Sequence, residues 1–161
     1  MSKSGKQSTA ESEATVSGVL VGRNDHALDP KKRLTIPSEW RAVMGNPDYV
    51  YVMPGRNGKC LNLVPKTEME MRLAKLREKA LFDPALTEQL RAIGAVSEQL
   101  VLDVQGRIRI SDRLLQFANL TTTVAMLGSV RVIELWDPAR VPGDRKVDMA
   151  GYRAALDKLG F

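Results

Sequence analysis

The sequence predicts an α+β fold in which two tandem copies of one strand, helix and hairpin unit pack together as a single pseudo-twofold body. An eight-residue motif occurs twice, as Asp29-Pro30-Lys31-Lys32-Arg33-Leu34-Thr35-Ile36 and, 74 residues on, as Asp103-Val104-Gln105-Gly106-Arg107-Ile108-Arg109-Ile110. The register extends past the motif, with Leu28 matching Leu102, Trp40 matching Leu114, Val43 matching Phe117 and Gly45 matching Asn119. At 161 residues the chain holds one compact domain or two small ones, and one copy alone would bury too little apolar surface to be stable.

In chain order, residues 1–17 are rich in Ser, Thr, Lys and Glu with almost no apolar residues, which predicts a disordered tail. Residues 18–93 form the first repeat with a helical hairpin appended. Its motif pairs a turn-prone stretch with the apolar-polar-apolar alternation of a strand, so the charged residues belong to a surface turn. A short helix follows, with Pro37 at its first position and Gly45 as a left-handed stop. Tyr49 to Val52 and Cys60 to Val64 read as strands joined by the turn-forming loop Pro54 to Lys59.

Thr67 and Glu70 then fit a capping box that opens a helix carrying Met69, Leu73, Leu76 and Ala80, a face that docks on the sheet. Asp83 as N-cap and Pro84 as first residue start a second helix, which Gly94 ends. The second repeat spans 94–141. In it Ser111 replaces the helix-opening proline as an N-cap, and strands Thr123 to Met126 and Val132 to Trp136 close tightly around Gly128-Ser129. Asp137-Pro138 opens a further turn of helix that Pro142-Gly143 stops. Residues 142–161 form a C-terminal segment, helical from Lys146 to Leu159. The two repeats are expected to make one compact unit.

Lys and Arg number 24 against 19 Asp and Glu, a net charge of +5, which favours polyanionic partners without demanding them. No apolar run approaches the roughly 20 residues a membrane-spanning helix needs, and the first residues lack a secretory signal's apolar core, so a cytosolic protein is expected. A single cysteine, Cys60, precludes an internal disulfide and reads as a small buried residue. His26 stands beside Asp25 and Asp29 without the further ligands a metal site requires, so no metal and no cofactor are expected. Trp40 and Trp136 read as core.

In each motif an Asp and an Arg stand four apart across the turn. One such pair alone reads as an exposed ion pair that fixes a hairpin, contributing roughly 0–1 kcal/mol. Two in register point to a duplicated binding device.

From Leu20 to Trp136 the chain resembles the MraZ family of bacterial regulators. The resemblance rests on the doubled Asp-x-x-x-Arg turn, on Gly22, His26 and Leu28 before it, on Leu34-Thr35-Ile36-Pro37 and Trp40-Arg41 after it, and on Ile133-Glu134-Leu135-Trp136. It implies a pseudo-twofold double-split β-barrel of AbrB/SpoVT-like swapped hairpins, built from the two tandem repeats and flanked by short helices. It also implies sequence-specific binding of double-stranded promoter DNA as a ring-shaped homo-oligomer, and repression of the division and cell wall gene cluster from the nucleoid. Three positions depart from the family pattern: Lys32 stands where Gly is usual, Ser111 where Pro is usual, and Leu115 where Arg is common.

On this resemblance Arg33 and Arg107 reach base edges or adjacent phosphates, because the guanidinium fork fits guanine O6 and N7. Lys31, Lys32 and Arg109 supply phosphate contacts and the salt-dependent part of the affinity. Asp29 and Asp103 orient the arginines, or else accept from cytosine N4. Arg41 reads equally as a packing residue, a helix C-terminal cation or a DNA contact.

Two other classes compete. An enzyme would use Asp29 and Asp103 as paired carboxylates with His26 as base, but the basic neighbours keep both carboxylates ionised, and no phosphate loop, nucleophile elbow or metal spacing accompanies them. A purely structural ring-assembly protein would use the same turns to join subunits. An antitoxin-like relative of the same barrel is the nearest alternative within DNA binding, and duplication within one chain argues against it.

Overall fold

The computed structural model describes residues 18–143 and 148–161, so the tail expected over residues 1–17 and the start of the helix expected at Lys146 lie outside the described residues. The fold is α+β, with antiparallel strands and a few helices. In chain order it comprises β1 (Arg23–Ala27), β2 (Arg33–Thr35), α1 (Ser38–Val43), β3 (Tyr49–Pro54), β4 (Leu61–Pro65), α2 (Lys66–Leu81) and α3 (Pro84–Val96). The second half adds β5 (Glu98–Val101), β6 (Arg107–Arg109), α4 (Asp112–Phe117), β7 (Thr123–Ser129), β8 (Val132–Trp136), a 3-10 turn (Pro138–Arg140) and α5 (Met149–Leu159).

The strand order is a palindrome. Six strands run β1-β7-β8-β4-β3-β5, every pairing antiparallel, and β2 pairs separately with β6. Under the 74-residue repeat β1 corresponds to β5, β3 to β7, β4 to β8 and β2 to β6. Exchanging the copies therefore maps the sheet onto itself about the β4–β8 seam, where Asn62 lies opposite Glu134. The first repeat's β1 pairs with the second repeat's β7, while the second repeat's β5 pairs with the first repeat's β3. Each copy thus lends its leading strand to the other, and neither completes its hydrogen-bond ladder alone. The strands form an open six-stranded sheet, with β1 and β5 at its edges, and a two-stranded ribbon; the hydrogen bonding does not close them into a barrel.

One buried cluster draws on both repeats. Leu34 and Ile36 beside β2, Ile108 and Ile110 beside β6, Trp40 and Leu114 from the short helices, and Val50, Val52, Leu61, Leu63, Val124, Met126, Ile133 and Leu135 from the sheet all belong to it. The ribbon lies over the sheet through Leu34 and Ile108, both fully buried and directly opposite each other. Complete burial of such side chains stabilises by roughly 1.5–3 kcal/mol each. Trp40 donates through Nε1 to the Val21 carbonyl, and Trp136 to Glu134, so each indole pairs its one donor. Cys60 is buried with Ala125 and Trp136, and burial pushes its thiol up to about 11, as suits a packing residue.

Several local expectations are corrected. β1 and β5 carry no sequence signature as strands because they are edges: all five β1 residues are exposed, so no alternation marks them. The helix expected to be capped by Thr67 starts two residues earlier, at Lys66 straight out of β4 with Pro65 as N-cap, so there is no capping box and the Thr67 hydroxyl is buried without a partner. α3 runs through Gly94 to Val96, and Ser97, whose hydroxyl donates to the Ile93 carbonyl, follows its end. Pro37 precedes α1 instead of opening it. The second hairpin turns at Val130-Arg131, because Gly128 sits inside β7, where a Cβ would meet the backbone of Leu20 and Val21. Asp83, Ser111, Gly45 and Asn119 take their expected capping or left-handed roles.

Candidate nucleic-acid interface

The two motif turns stand at opposite ends of the β2–β6 ribbon, one leading into each strand. In the first, the Lys32 amide donates to the Asp29 carbonyl at 2.9 Å and the Asp29 amide to the Arg33 carbonyl at 3.0 Å. In the second, the Gly106 amide donates to the Asp103 carbonyl at 2.9 Å and the Asp103 amide to the Arg107 carbonyl at 3.0 Å. Each turn is then tied to the opposite strand, Ile110 N donating to Lys32 O at 3.0 Å and Ile36 N to Gly106 O at 2.9 Å. This geometry puts the fourth residue of each turn in the left-handed region, Lys32 at φ 63° and Gly106 at φ 79°.

The carboxylates clamp both turns identically. Asp29 Oδ1 accepts from the amides of Lys31 and Arg33 at 2.9 and 2.8 Å, and Oδ2 accepts from Arg33 Nε at 2.6 Å. Asp103 Oδ1 accepts from the amides of Gln105 and Arg107, both at 2.9 Å, and Oδ2 from Arg107 Nε at 2.7 Å. Partial burial pulls the Asp29 carboxyl upward, but the Arg33 amide and guanidinium and the Lys31 amide outweigh it and hold the group below its ordinary range. For Asp103 the Arg107 amide is the leading influence, against burial, and the direction is again downward. Both carboxylates are therefore ionised and fully engaged in positioning. The three bonds each carboxylate accepts tie it to its own turn and arginine.

In both turns the arginine is held through Nε. Among the described residues neither guanidinium makes another hydrogen bond. Period-two alternation around buried Leu34 and Ile108 puts Arg33, Thr35, Arg107 and Arg109 on the outer face of the ribbon. Arg33 lies directly opposite Arg109, and Thr35 opposite Arg107. A hollow lined by Lys32, Arg109, Ser111 and Asp112 adjoins that first end. So the structure gathers Lys31, Lys32, Arg33 and Arg109 at one end and leaves Arg107 at the other, although Arg109 belongs to the second motif in sequence. Antiparallel pairing causes this crossover.

Two further residues adjoin the motif turns. Thr35 shares the ribbon's outer face. Arg41, left open by the sequence between packing, a helix C-terminal role and a DNA contact, packs on the second turn: its Nε donates to the Ile36 carbonyl at 3.0 Å, and a Cβ on Gly106 would overlap its Nε and Cζ and come within 2.8 Å of its Cδ. The helix of the first repeat thus covers the turn of the second. The sequence carries the signal as a crosswise match, because Arg41 corresponds to Leu115 and Gly106 to Lys32.

A profile described as MraZ protein, putative antitoxin-like, matches residues 94–140, the stretch holding the second turn. A Syntrophobacter fumaroxidans protein named transcriptional regulator MraZ is 32% identical over 136 residues, covering 84% of this chain and 91% of its own length. The chain belongs to the MraZ family. MraZ relatives with the same name include a Mesoplasma florum protein, 35% identical over 74% of this chain and 80% of its own length, and a Spiroplasma kunkelii protein, 35% identical over 73% and 81%. These relatives are named as regulators, not as enzymes. His26 is exposed on β1 with its Nδ1 beside the Ala27 carbonyl, and among the described residues no His, Cys, Asp and Glu cluster is arranged to hold a metal. Among the same residues no helix is long and apolar enough to cross a membrane.

Proposed function

We propose that this chain is a sequence-specific regulator that binds double-stranded promoter DNA through the β2–β6 ribbon and its two Asp-x-x-x-Arg turns. The observation that carries the reading is the doubled clamp: two arginines, each held by Nε, with terminal donors free to approach an anion or a base edge. A two-stranded ribbon fits the major groove, about 12 Å wide, and each well-placed guanidinium discriminates a base by about 1–3 kcal/mol. Arg33 directly across from Arg109 is unfavourable on a bare surface, since like charges opposed on two strands repel. A phosphate backbone turns that repulsion into attraction, and Lys31 and Lys32 strengthen it. Asp29 and Asp103 act by holding the arginines.

The six-stranded sheet and the ribbon over it correspond, in this reading, to the split barrel of swapped hairpins, with the two repeats acting as one DNA-binding unit. The chain assembles as a closed homo-oligomeric ring, so that several ribbons engage repeated boxes and effective concentration multiplies weak contacts. The regulated promoter is that of the division and cell wall cluster, including the chain's own gene, with repression as the outcome in the cytoplasm at the nucleoid. Exchange of β1 and β5 within one chain supports this over a swapped-dimer antitoxin, which would need a second chain for the same ladder.

A gel shift with a duplex from upstream of the chain's own gene, at two salt concentrations, tests the reading. Arg33→Ala with Arg107→Ala is expected to abolish preference for that duplex while leaving the oligomer's size unchanged. Binding and preference equal to wild type would sink it.

A further inference from the structure

We propose that Arg41, carried by the first repeat, completes the second repeat's DNA-binding turn by contacting a phosphate beside Arg107, as the functional counterpart of Lys32 at the first turn. This rests on the DNA-binding reading above.

The two turns share a backbone but differ in what occupies the space over the left-handed residue. At the second turn, residue 106 has no side chain and is buried, and Arg41 lies where a Cβ would stand. The bond from Arg41 Nε to Ile36 O holds the guanidinium there, and Ile36 N is itself bonded to Gly106 O, so Arg41 and the turn form one hydrogen-bonded unit. Among the described residues Arg41 makes no other side-chain hydrogen bond, which leaves both terminal nitrogens available.

At the first turn the arrangement is inverted. Residue 32 brings its own exposed cationic side chain, and the helix residue facing it is Leu115, buried and neutral. Lys32 and Leu115 line one hollow together with Gln116 and Asn119. A side chain at the left-handed position and an arginine on the opposed helix compete for the same volume, as the overlap at Gly106 makes plain. One cation is therefore delivered to each turn, from the turn at one end and from the opposite repeat's helix at the other. Lys32 and Leu115 are one coupled change.

An arginine that only covered Gly106 would leave the salt dependence of DNA binding untouched. A phosphate contact would not, because each neutralised phosphate contributes about 0.9 to the slope of log affinity against log salt. The experiment measures affinity of the full-length chain for two duplexes, one from upstream of its gene and one of unrelated sequence, across a salt series. Arg41→Gln, which keeps a donor for the Ile36 carbonyl and removes the charge, is expected to weaken both duplexes alike and lower the slope by about 0.9 per chain engaged. Lys32→Gly is expected to do the same, and Lys32→Gly with Leu115→Arg to restore the slope.

A wild-type slope in Arg41→Gln overturns the inference while leaving the DNA-binding reading intact. Failure of Leu115→Arg to restore Lys32→Gly overturns the equivalence of the two cations. Absence of binding by the wild-type chain to either duplex would instead overturn the reading on which the inference rests. The melting temperature of Arg41→Gln is expected to equal wild type and that of Lys32→Gly to equal or exceed it; if Arg41→Gln melts early, Arg41→Lys must retain the slope for the inference to stand.

Discussion

The first and second motif turns have matching hydrogen bonds and unequal side chains. Every backbone and carboxylate bond of Asp29 to Arg33 has its partner in Asp103 to Arg107, at lengths agreeing within 0.1 Å. Yet one turn carries Pro30, Lys31 and Lys32 where the other carries Val104, Gln105 and Gly106. What duplication has kept is a frame that aims an arginine; what it has let drift is the surface beside that arginine. The first end of the ribbon is consequently rich in cations suited to phosphates. The second presents Gln105 and a fully exposed Val104, side chains suited to base edges and thymine methyls. Under the DNA-binding reading proposed above, affinity is expected to weigh on the first turn, and Arg107 on the second to matter at least as much for sequence choice.

If the frame is truly symmetric, the residues anchoring it must be equivalent. Leu34 and Ile108 face each other under the ribbon, both fully buried in the same cluster. Leu34→Ala and Ile108→Ala are each expected to cost about 2–5 kcal/mol of stability. Urea denaturation is expected to give values within about 1 kcal/mol of each other, allowing for context-dependent relaxation. A large loss for one and a negligible loss for the other would mean that the ribbon is anchored through a single repeat, and the pseudo-twofold description of the site would fail.

This symmetry was legible in the sequence because it is local. The motif, its register, the strands β2, β3, β6, β7 and β8 and the left-handed Gly45 and Asn119 all follow from residues near one another in the chain. The partner exchange is implied only by the family resemblance, as swapped hairpins, and not by the residues themselves. β1 and β5 are exposed or half-exposed edge strands, so neither carries the apolar alternation that marks a strand, and nothing in a linear pattern says which repeat an edge joins. For the same reason Arg109 reads as part of the second motif although pairing sets it beside Arg33, and Arg41 reads as part of the first helix although it covers the second turn. The helix boundaries differ from the local signals at two places: β4 runs straight into α2 behind Pro65, and α3 continues through the exposed Gly94 to Val96.

The fourth turn residue separates the copies by a smaller energy. A non-glycine residue held in the left-handed region costs roughly 1–2 kcal/mol, against the roughly 0.5–1 kcal/mol of extra chain entropy that glycine loses on folding. Lys32→Gly is therefore expected to stabilise the fold by up to about 1 kcal/mol while weakening DNA binding, so that stability and affinity move in opposite directions. Gly106→Ala is expected to destabilise by about 1 kcal/mol or more, since it adds the left-handed cost and displaces Arg41 from its seat. Denaturation midpoints decide the point: stabilisation by Lys32→Gly together with unchanged stability in Gly106→Ala would contradict the assigned backbone conformations.

The smallest difference is expected in acid. Both carboxylates have folded values held below 3.8, Asp29 by the Arg33 and Lys31 bonds that outweigh its partial burial, and Asp103 by the Arg107 amide above all. A depressed folded value means that the clamp's contribution is fully present above the unfolded carboxylate range and is lost as pH falls through the folded one. From pH 8 to about 5 neither turn should change. Below about 4 the amides of Lys31 and Arg33 in one turn, and of Gln105 and Arg107 in the other, lose their ionised acceptor and should shift together in an NMR titration. Because the bonds are matched, the two midpoints should nearly coincide, with both below 3.8. A midpoint above that value in one turn alone would mean that its Asp holds its arginine more loosely than the distances indicate, and the shared frame would then belong to one copy only.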